Sequence, residues 1–387
     1  MAPPSKSKAQ KQARSTKKPQ LRDRSDRKDT PAVVSQHHVL PLELQHIILN
    51  TFTTAFPVAE DADELKHITQ EVKGHLFNRD FSAAFGQPSY LQAYALRWSA
   101  ARALGYSHIL THAGRDFLLV PFNTVETPGT TKTIEHSSQN QQDPDSSSEL
   151  LLSTRVLCIG GGAGAEIVAL AAAGKHLHLQ SCLEIIAVDS ADWSASVKQL
   201  FSAFSTPPPL SMYASEAARV RPENRPLVED SSKVSVSFIH QDVLEWQNES
   251  MKMTTQGVSL CTIMFTLNEL FSTSLPKTTS FLLRLTNLMR TGSYLLVVDS
   301  PGSYSELQLG KEKQAPAEEG SAPTKKYPMK WLLDHTLLSV AGKDEDTKWE
   351  KVESEDSLWY RIDQKDRLKY PVELENMRYQ LHLYRKI

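Results

Sequence analysis

The stretch Gly160-Gly-Gly-Ala-Gly164 lies between an apolar run, Val156 to Ile159, and a second apolar run that begins at Ile167. Glycines crowded at such a junction let the chain adopt conformations that a Cβ forbids and let backbone approach a ligand closely. A helix opening at Ala165 presents unpaired N–H groups at the same place, a ready site for negative charge. Two acids follow at informative distances. Asp189 ends the run Leu183-Glu-Ile-Ile-Ala-Val188, twenty-five residues after Gly164, where a carboxylate can take both hydroxyls of a ribose. Asp242 stands just past Val234-Ser-Val-Ser-Phe-Ile-His240. Together these residues describe a nucleotide-binding α/β unit with two carboxylates near its ligand. Gly160-x-Gly162-x-x-Ala165 also fits a dinucleotide fingerprint, which stands as the alternative.

The spacing of loop and acids resembles that of class I S-adenosylmethionine (SAM)-dependent methyltransferases, where the place of Asp242 is the one at which a carboxylate meets the adenine amine. The cofactor set expected from it is Gly160, Gly161, Gly162, Gly164, Asp189, Ser190, Trp193, Asp242 and Thr266. In that fold the segment after the fourth strand faces the transferable methyl, and here it reads Phe265-Thr-Leu-Asn-Glu-Leu-Phe271. Neither proline of the Asn/Asp-Pro-Pro-aromatic pattern used on exocyclic amines is present. Pyrimidine C5 chemistry needs an attacking thiolate, and Cys261 sits near the start of its strand, at the wrong end of the sheet. A ring nitrogen, a hydroxyl or a protein side chain remains as acceptor. For a uracil ring the N3 proton must leave as the methyl arrives, and the expected catalytic pair is Asn268, orienting the imide, and Glu269, accepting the proton. Asn268 as a helix cap and Glu269 as a ligand of the SAM amino group are the alternatives. Trp193, Phe271 or Tyr304 are the aromatics available to stack on an unstacked base.

The elements that must hold these residues follow from periodicity. Leu44, Ile47, Ile48 and Phe52 fall on one face of a first helix, a second runs near Asp63 to Leu76, and a third begins after Gln87-Pro88 with Ser89 as its candidate N-cap. Tyr90, Leu91, Tyr94 and Trp98 form a stripe along this third helix. Arg97, Trp98 and Arg102 are candidate contacts to an RNA substrate, with Arg79 and Arg115 available for phosphates. Arg97 and Arg102, five positions apart, should not share a face of a regular helix. This all-helical region is expected to cap the mouth of the sheet. Beyond it, Ser259–Thr266 and Ser293–Asp299 read as the fourth and fifth strands, Phe281–Met289 and Lys330–Leu338 as helices, and Ser357–Arg361 with Tyr379–Tyr384 as two closing strands. The fold class expected is α/β, a Rossmann-like class I methyltransferase with a seven-stranded sheet, mostly parallel with one antiparallel strand, and an N-terminal all-helical region.

Composition divides the chain into a basic disordered arm (1–33), the helical region (34–125), a Ser/Thr/Gln-rich flexible linker (126–149) and a methyltransferase domain (150–387) with insertions near 205–230 and 310–324. The net charge of −2 conceals the arm: residues 1–28 carry ten Lys or Arg against Asp23 and Asp26. Such a segment cannot bury a core, and it suits nuclear or nucleolar targeting and attraction to phosphates. No signal peptide and no membrane-spanning run is expected. Three cysteines, Cys158, Cys182 and Cys261, without a C-x-x-C, indicate a reducing compartment and inert thiols. His108-x-x-x-His112 has the spacing of a metal pair but lacks both the glutamate after its first histidine and a third ligand, so no metal is expected.

Over residues 36–387 the chain resembles the fungal 25S ribosomal RNA uridine-N3 methyltransferases. The resemblance is carried by Asn78-Arg-Asp-Phe81, the stretch Tyr90 to Tyr106 with its Arg97-Trp-Ser99, Cys158 to Glu166, Asp189-Ser-Ala-Asp-Trp193 and Phe265 to Phe271. It implies SAM as cofactor, large-subunit rRNA or a pre-ribosome as partner, and a nuclear or nucleolar site, with the cytoplasm as second choice and a monomer as the expected state. Two further readings compete: an assembly factor that keeps the fold and acts by binding, and a protein or small-molecule methyltransferase.

Overall fold

The computed structural model describes residues 40–56, 61–112, 118, 153–302, 304–307, 325–342, 348–363 and 368–387. The basic arm, the linker 126–149, the insertion 310–324 and Arg115 lie outside the described residues.

Seven strands form the central sheet: β1 (Ser153–Ile159), β2 (Cys182–Asp189), β3 (Val234–His240), β4 (Leu260–Met264), β5 (Tyr294–Asp299), β8 (Trp349–Tyr360) and β9 (Met377–Lys386). A separate hairpin pairs β6 (Tyr304–Leu307) with β7 (Lys325–Pro328). The sheet order is β3-β2-β1-β4-β5-β9-β8, parallel throughout except that β9 runs antiparallel to both its neighbours. This is the class I methyltransferase sheet. Central strands buried on both faces must be apolar along their length. Leu260-Cys-Thr-Ile-Met264 is buried at every residue, and the edge strand β3 instead alternates between half-buried and exposed. The order reverses between β1 and β4, so a crevice opens beyond their carboxyl ends.

The pleat of β1 divides the core. Val156 and Cys158 face one layer, and Leu157 and Ile159 the other. The second layer packs Phe281, Leu282 and Leu285 of the helix Leu275–Leu288 beneath β4 and β5. Against the first layer lie the N-terminal helices α1 (Leu42–Ala55), α2 (Ala62–Phe77), α3 (Phe81–Ala84), α4 (Pro88–Tyr94) and α5 (Ala100–His112), then α6 (Ala165–His176) and α7 (Ser194–Ser205). Ile48, Phe52, Leu104, Ile167 and Leu200 belong to one continuous cluster with Val156. Each such buried side chain contributes roughly 1.5–3 kcal/mol, so the N-terminal helices are held to the sheet by its own core. The loop between β2 and β3 leaves the body and returns to it, tied to α1 by Asn50 Nδ2 donating to the Glu223 carbonyl (3.3 Å).

Two local expectations are corrected. The third helix is capped by Gln87, with no side-chain cap, and Pro88 takes its first turn, so Ser89 is already inside. The helix also does not run regularly from Pro88 to His112. Ala95–Ser99 forms a π turn between α4 and α5, a widened turn that rotates everything beyond it relative to what precedes it.

Candidate active site

A cavity of about 540 Å³ opens at the carboxyl ends of β1, β2 and β4, roofed by α2 to α5. That is the size range of pockets that enclose small ligands. Gly160, Gly161, Ala163 and Gly164 form its floor, and Gly164 has φ +85°, the left-handed conformation from which α6 departs. Gly162 has a different task. Its N–H donates to Asp189 Oδ2 (3.1 Å), and a Cβ there would lie 2.2 Å from Trp193 Cδ1. Gly162 therefore braces the wall instead of lining the cavity.

Asp189 and Asp242 both reach this cavity, as the sequence led us to expect, together with Ser190, Trp193 and Thr266. Asp189 is fixed by Gly162 N–H and by Ala191 N–H (3.1 Å to Oδ1), and burial raises its carboxyl above the ordinary aspartate value. Asp242 accepts from Leu244 N–H (2.9 Å) and remains exposed at the rim. Trp193 is buried and packs against Phe85 (ring centroids 5.5 Å) and Tyr94 (5.9 Å), an aromatic wall shared by the N-terminal helices and the sheet.

After β4 the chain enters Phe265 with φ +55°. For a non-glycine residue this is a strained conformation, and such strain clusters at functional sites. The following helix, α8 (Leu267–Thr273), is anchored by buried Leu267 and Phe271. Its start is tied to β5 because Asn268 N–H donates to Asp299 Oδ2 (3.0 Å). Glu269 lines the cavity and pairs with Arg79, a residue at φ +57° just beyond α2. Asn268 does not line it: its Oδ1 is buried and has no hydrogen-bond partner among the described residues. Phe271 is part of the core, not a stacking surface open to a ligand, and the backbone of Tyr304 opens β6.

Arg97 and Trp98 line a second, smaller cavity of about 180 Å³, and Arg102 lines both. The expectation that Arg97 and Arg102 cannot share a face fails here: Arg97 sits inside the π turn, whose wider spacing lets it and Arg102 reach the same cavity wall. Arg97 pairs with Glu375 and lies over Trp98. Arg102 donates to the Tyr94 hydroxyl (2.9 Å), and its guanidinium lies over the Phe265 ring (4.9 Å).

Four residues that the sequence reading left without a role belong to the site. Glu166, in the first turn of α6, lies beneath the glycine floor at 3 % exposure, its Oε1 without a partner among the described residues. Burial pushes its carboxyl up to about 8, aided by Asp189. Its signal was an acid two residues after a glycine loop. Asp299, at the carboxyl end of β5, is pushed up to about 6 by burial while the N–H groups of Asn268 and Ser300 pull it back. Tyr106 and Phe85 complete the wall, and neither has a signature beyond helical spacing. Burial raises the Cys158 and Cys261 thiols, which leaves them unreactive. His108 and His112 stack, and among the described residues no cluster of three metal-ligating side chains occurs.

A nucleoside with an amino-acid tail fits this arrangement. The glycine floor has room only for bare backbone, Asp189 is held by its backbone bonds with its carboxylate at the cavity, and Asp242 stands at the rim. Gly160, Gly161, Gly164, Asp189, Ser190, Asp242 and Thr266 would hold SAM, with Trp193 as the wall behind.

Residues 52–385 match the family model described as "Putative SAM-dependent methyltransferase". The chain is 31% identical over 369 residues, 89% of its length and 86% of the relative's, to the 25S rRNA (uridine(2843)-N(3))-methyltransferase of Saccharomyces cerevisiae. Among solved structures it is similar to the antibiotic-resistance methyltransferase Kmr (17% identity, TM-score 0.30, 60% of this chain and 87% of that one). It is also similar to an O-methyltransferase family protein from Burkholderia thailandensis (10% identity, TM-score 0.39, 84% and 70%).

Proposed function

We propose, from the premise that this chain belongs to the family of SAM-dependent methyltransferases, that it methylates N3 of a uridine in large-subunit ribosomal RNA. The observation that carries this reading is the 31% identity to a 25S rRNA uridine-N3 methyltransferase along 89% of the chain, a span too long to leave out the helices that roof the cavity. The roof is where an acceptor is recognised, so shared descent there bears on substrate as well as cofactor. SAM supplies an electrophilic methyl on a positively charged sulfur.

The protein's part is positioning and one proton. Holding acceptor and donor in register can supply much of the rate on its own. Asp189 and Asp242 fix the adenosyl end, and Trp193 closes the side wall. Glu269 stands at the β4 end of the cavity paired with Arg79, and it is the acceptor for the N3 proton. Arg79, partly exposed at the rim, releases Glu269 for that task on meeting an RNA phosphate. Asn268 acts through its backbone, setting Glu269 on the start of α8 by its bond to Asp299.

Such an enzyme works on the ribosome precursor in the nucleus or nucleolus, to which the ten basic residues of the arm are suited. No helix among the described residues is long and apolar enough to cross a membrane. The test is nucleoside mass analysis of large-subunit rRNA from cells lacking this protein. Loss of a single 3-methyluridine is expected, restored by the wild-type chain and not by Asp189→Ala. An unchanged nucleoside profile would refute the reading, and restoration by Asp189→Ala would favour a factor that acts by binding alone.

A further inference from the structure

Arg102 is the conspicuous unspent group of the roof. It projects from α5 into the partition between the two cavities and lines both. A guanidinium carries five N–H donors, yet among the described residues its one hydrogen-bond partner is the Tyr94 hydroxyl, and no carboxylate lies within ion-pairing distance of it. Its face is covered by Phe265, the strained residue that directly follows β4. Asp299 lies near enough to favour the charge of Arg102 without pairing with it, so most N–H donors of this half-buried guanidinium are left for another partner. Phe265 begins the segment where a class I fold meets its acceptor, beyond the carboxyl ends of β4 and β5.

The chemistry of a uracil imide fits this group. N3 is flanked by two carbonyl oxygens. When the N3–H bond breaks, its electron pair spreads onto those oxygens before closing the new N–C bond. A planar, permanently charged donor suits that charge better than a lysine does. A cytosine presents an amine donor on one side of N3 and no proton to lose, so the same arginine would disfavour it.

We propose that Arg102 receives a carbonyl of the acceptor uracil and stabilises the N3 anion, a role that rests on the uridine-N3 reading above. The N3–H proton passes to the Glu269 carboxylate, the N3–CH3 bond forms as the S–CH3 bond breaks, and the sulfonium becomes a neutral thioether. The charged or titratable groups around this position are Tyr94 on α4, Tyr106 on α5, Asp299 on β5, Glu269 on α8, Glu166 on α6 and Arg79 beyond α2, with Arg97, Glu375 and Arg378 around the second cavity.

The test uses the full chain with S-adenosylhomocysteine and an rRNA fragment carrying 5-fluorouridine at the position the wild-type protein methylates. Fluorine NMR reports ionisation of N3 in the bound base. Wild type is expected to lower the midpoint by roughly one pH unit or more relative to free RNA, and Arg102→Gln to return it to the free value. In single-turnover methylation of the unmodified fragment, Arg102→Gln should lose roughly 10²–10³-fold in rate while cofactor affinity by calorimetry stays at the wild-type value. Coincident midpoints for wild type and Arg102→Gln, or an unchanged rate, overturn the assignment. If the glutamine variant does not fold, Arg102→Lys carries the test. A midpoint between wild type and free RNA supports the proposal, and a midpoint equal to that of free RNA overturns it. A wild-type protein that methylates no uridine N3 defeats the acceptor reading itself, whereas 3-methyluridine made equally well by wild type and variants defeats only the role of Arg102.

Discussion

Replacing Glu166 by glutamine isolates one buried proton. The side chain lies beneath the glycine floor with the Thr262 hydroxyl beside it, which opposes the rise that burial causes, and the amide keeps the shape while removing the titration. Burial lifts this carboxyl from 4.5 to about 8. The folded chain therefore binds the proton more tightly than the unfolded chain does. Its contribution to stability is full below about pH 4.5 and is lost as pH rises through about 8. At about 1.4 kcal/mol per pH unit the loss has a ceiling of roughly 5 kcal/mol, and water entering the cavity reduces it to roughly 2–5 kcal/mol. At roughly 2 °C per kcal/mol for a chain of this size, the Tm of Glu166→Gln should exceed that of wild type by roughly 4–10 °C at high pH and by nearly nothing at low pH. Scanning fluorimetry of both proteins in a buffer series from acid to mildly alkaline pH reads this directly. Two melting profiles that run parallel across the series would show that Glu166 ionises as an ordinary carboxylate, and the description of the floor would be wrong.

Gly162→Ala places a Cβ 2.2 Å from Trp193 Cδ1, so the indole must move; calorimetry should show cofactor affinity falling by roughly tenfold or more, equivalent to about 1.4 kcal/mol. Glu269→Gln removes the proposed proton acceptor and should lower single-turnover methylation by roughly 10²-fold or more, with cofactor affinity retained. Trp193→Ala deletes a buried indole from the aromatic wall and should cost roughly 3–5 kcal/mol of stability, seen as a lower Tm that added SAM only partly restores.

The sheet was legible because its central strands must be apolar on both faces, so runs such as Leu295-Leu-Val-Val298 announce themselves. The glycine floor, Asp189 and Asp242 were legible because each must stand at the end of a strand, and strand ends can be counted. What stayed hidden is set by tertiary packing. The π turn at Ala95–Ser99 has no residue signature, and without it Arg97 and Arg102 point apart. Asn268 and Glu269 are adjacent in sequence, yet only Glu269 faces the cavity, because Leu267 and Phe271 fix how α8 rolls onto the core. Phe271 has the composition of a stacking residue and is spent on that same anchoring. Glu166 and Asp299 were visible as letters, but their meaning comes from burial, which one sequence does not display.

The most direct measurement is in vitro: purified protein, SAM with a labelled methyl, and large-subunit rRNA from cells lacking the enzyme, followed by digestion and identification of the labelled nucleoside. The account predicts label in 3-methyluridine alone, at one position, and none with Asp189→Ala. Label in any other nucleoside, or none from the wild-type protein, would contradict it.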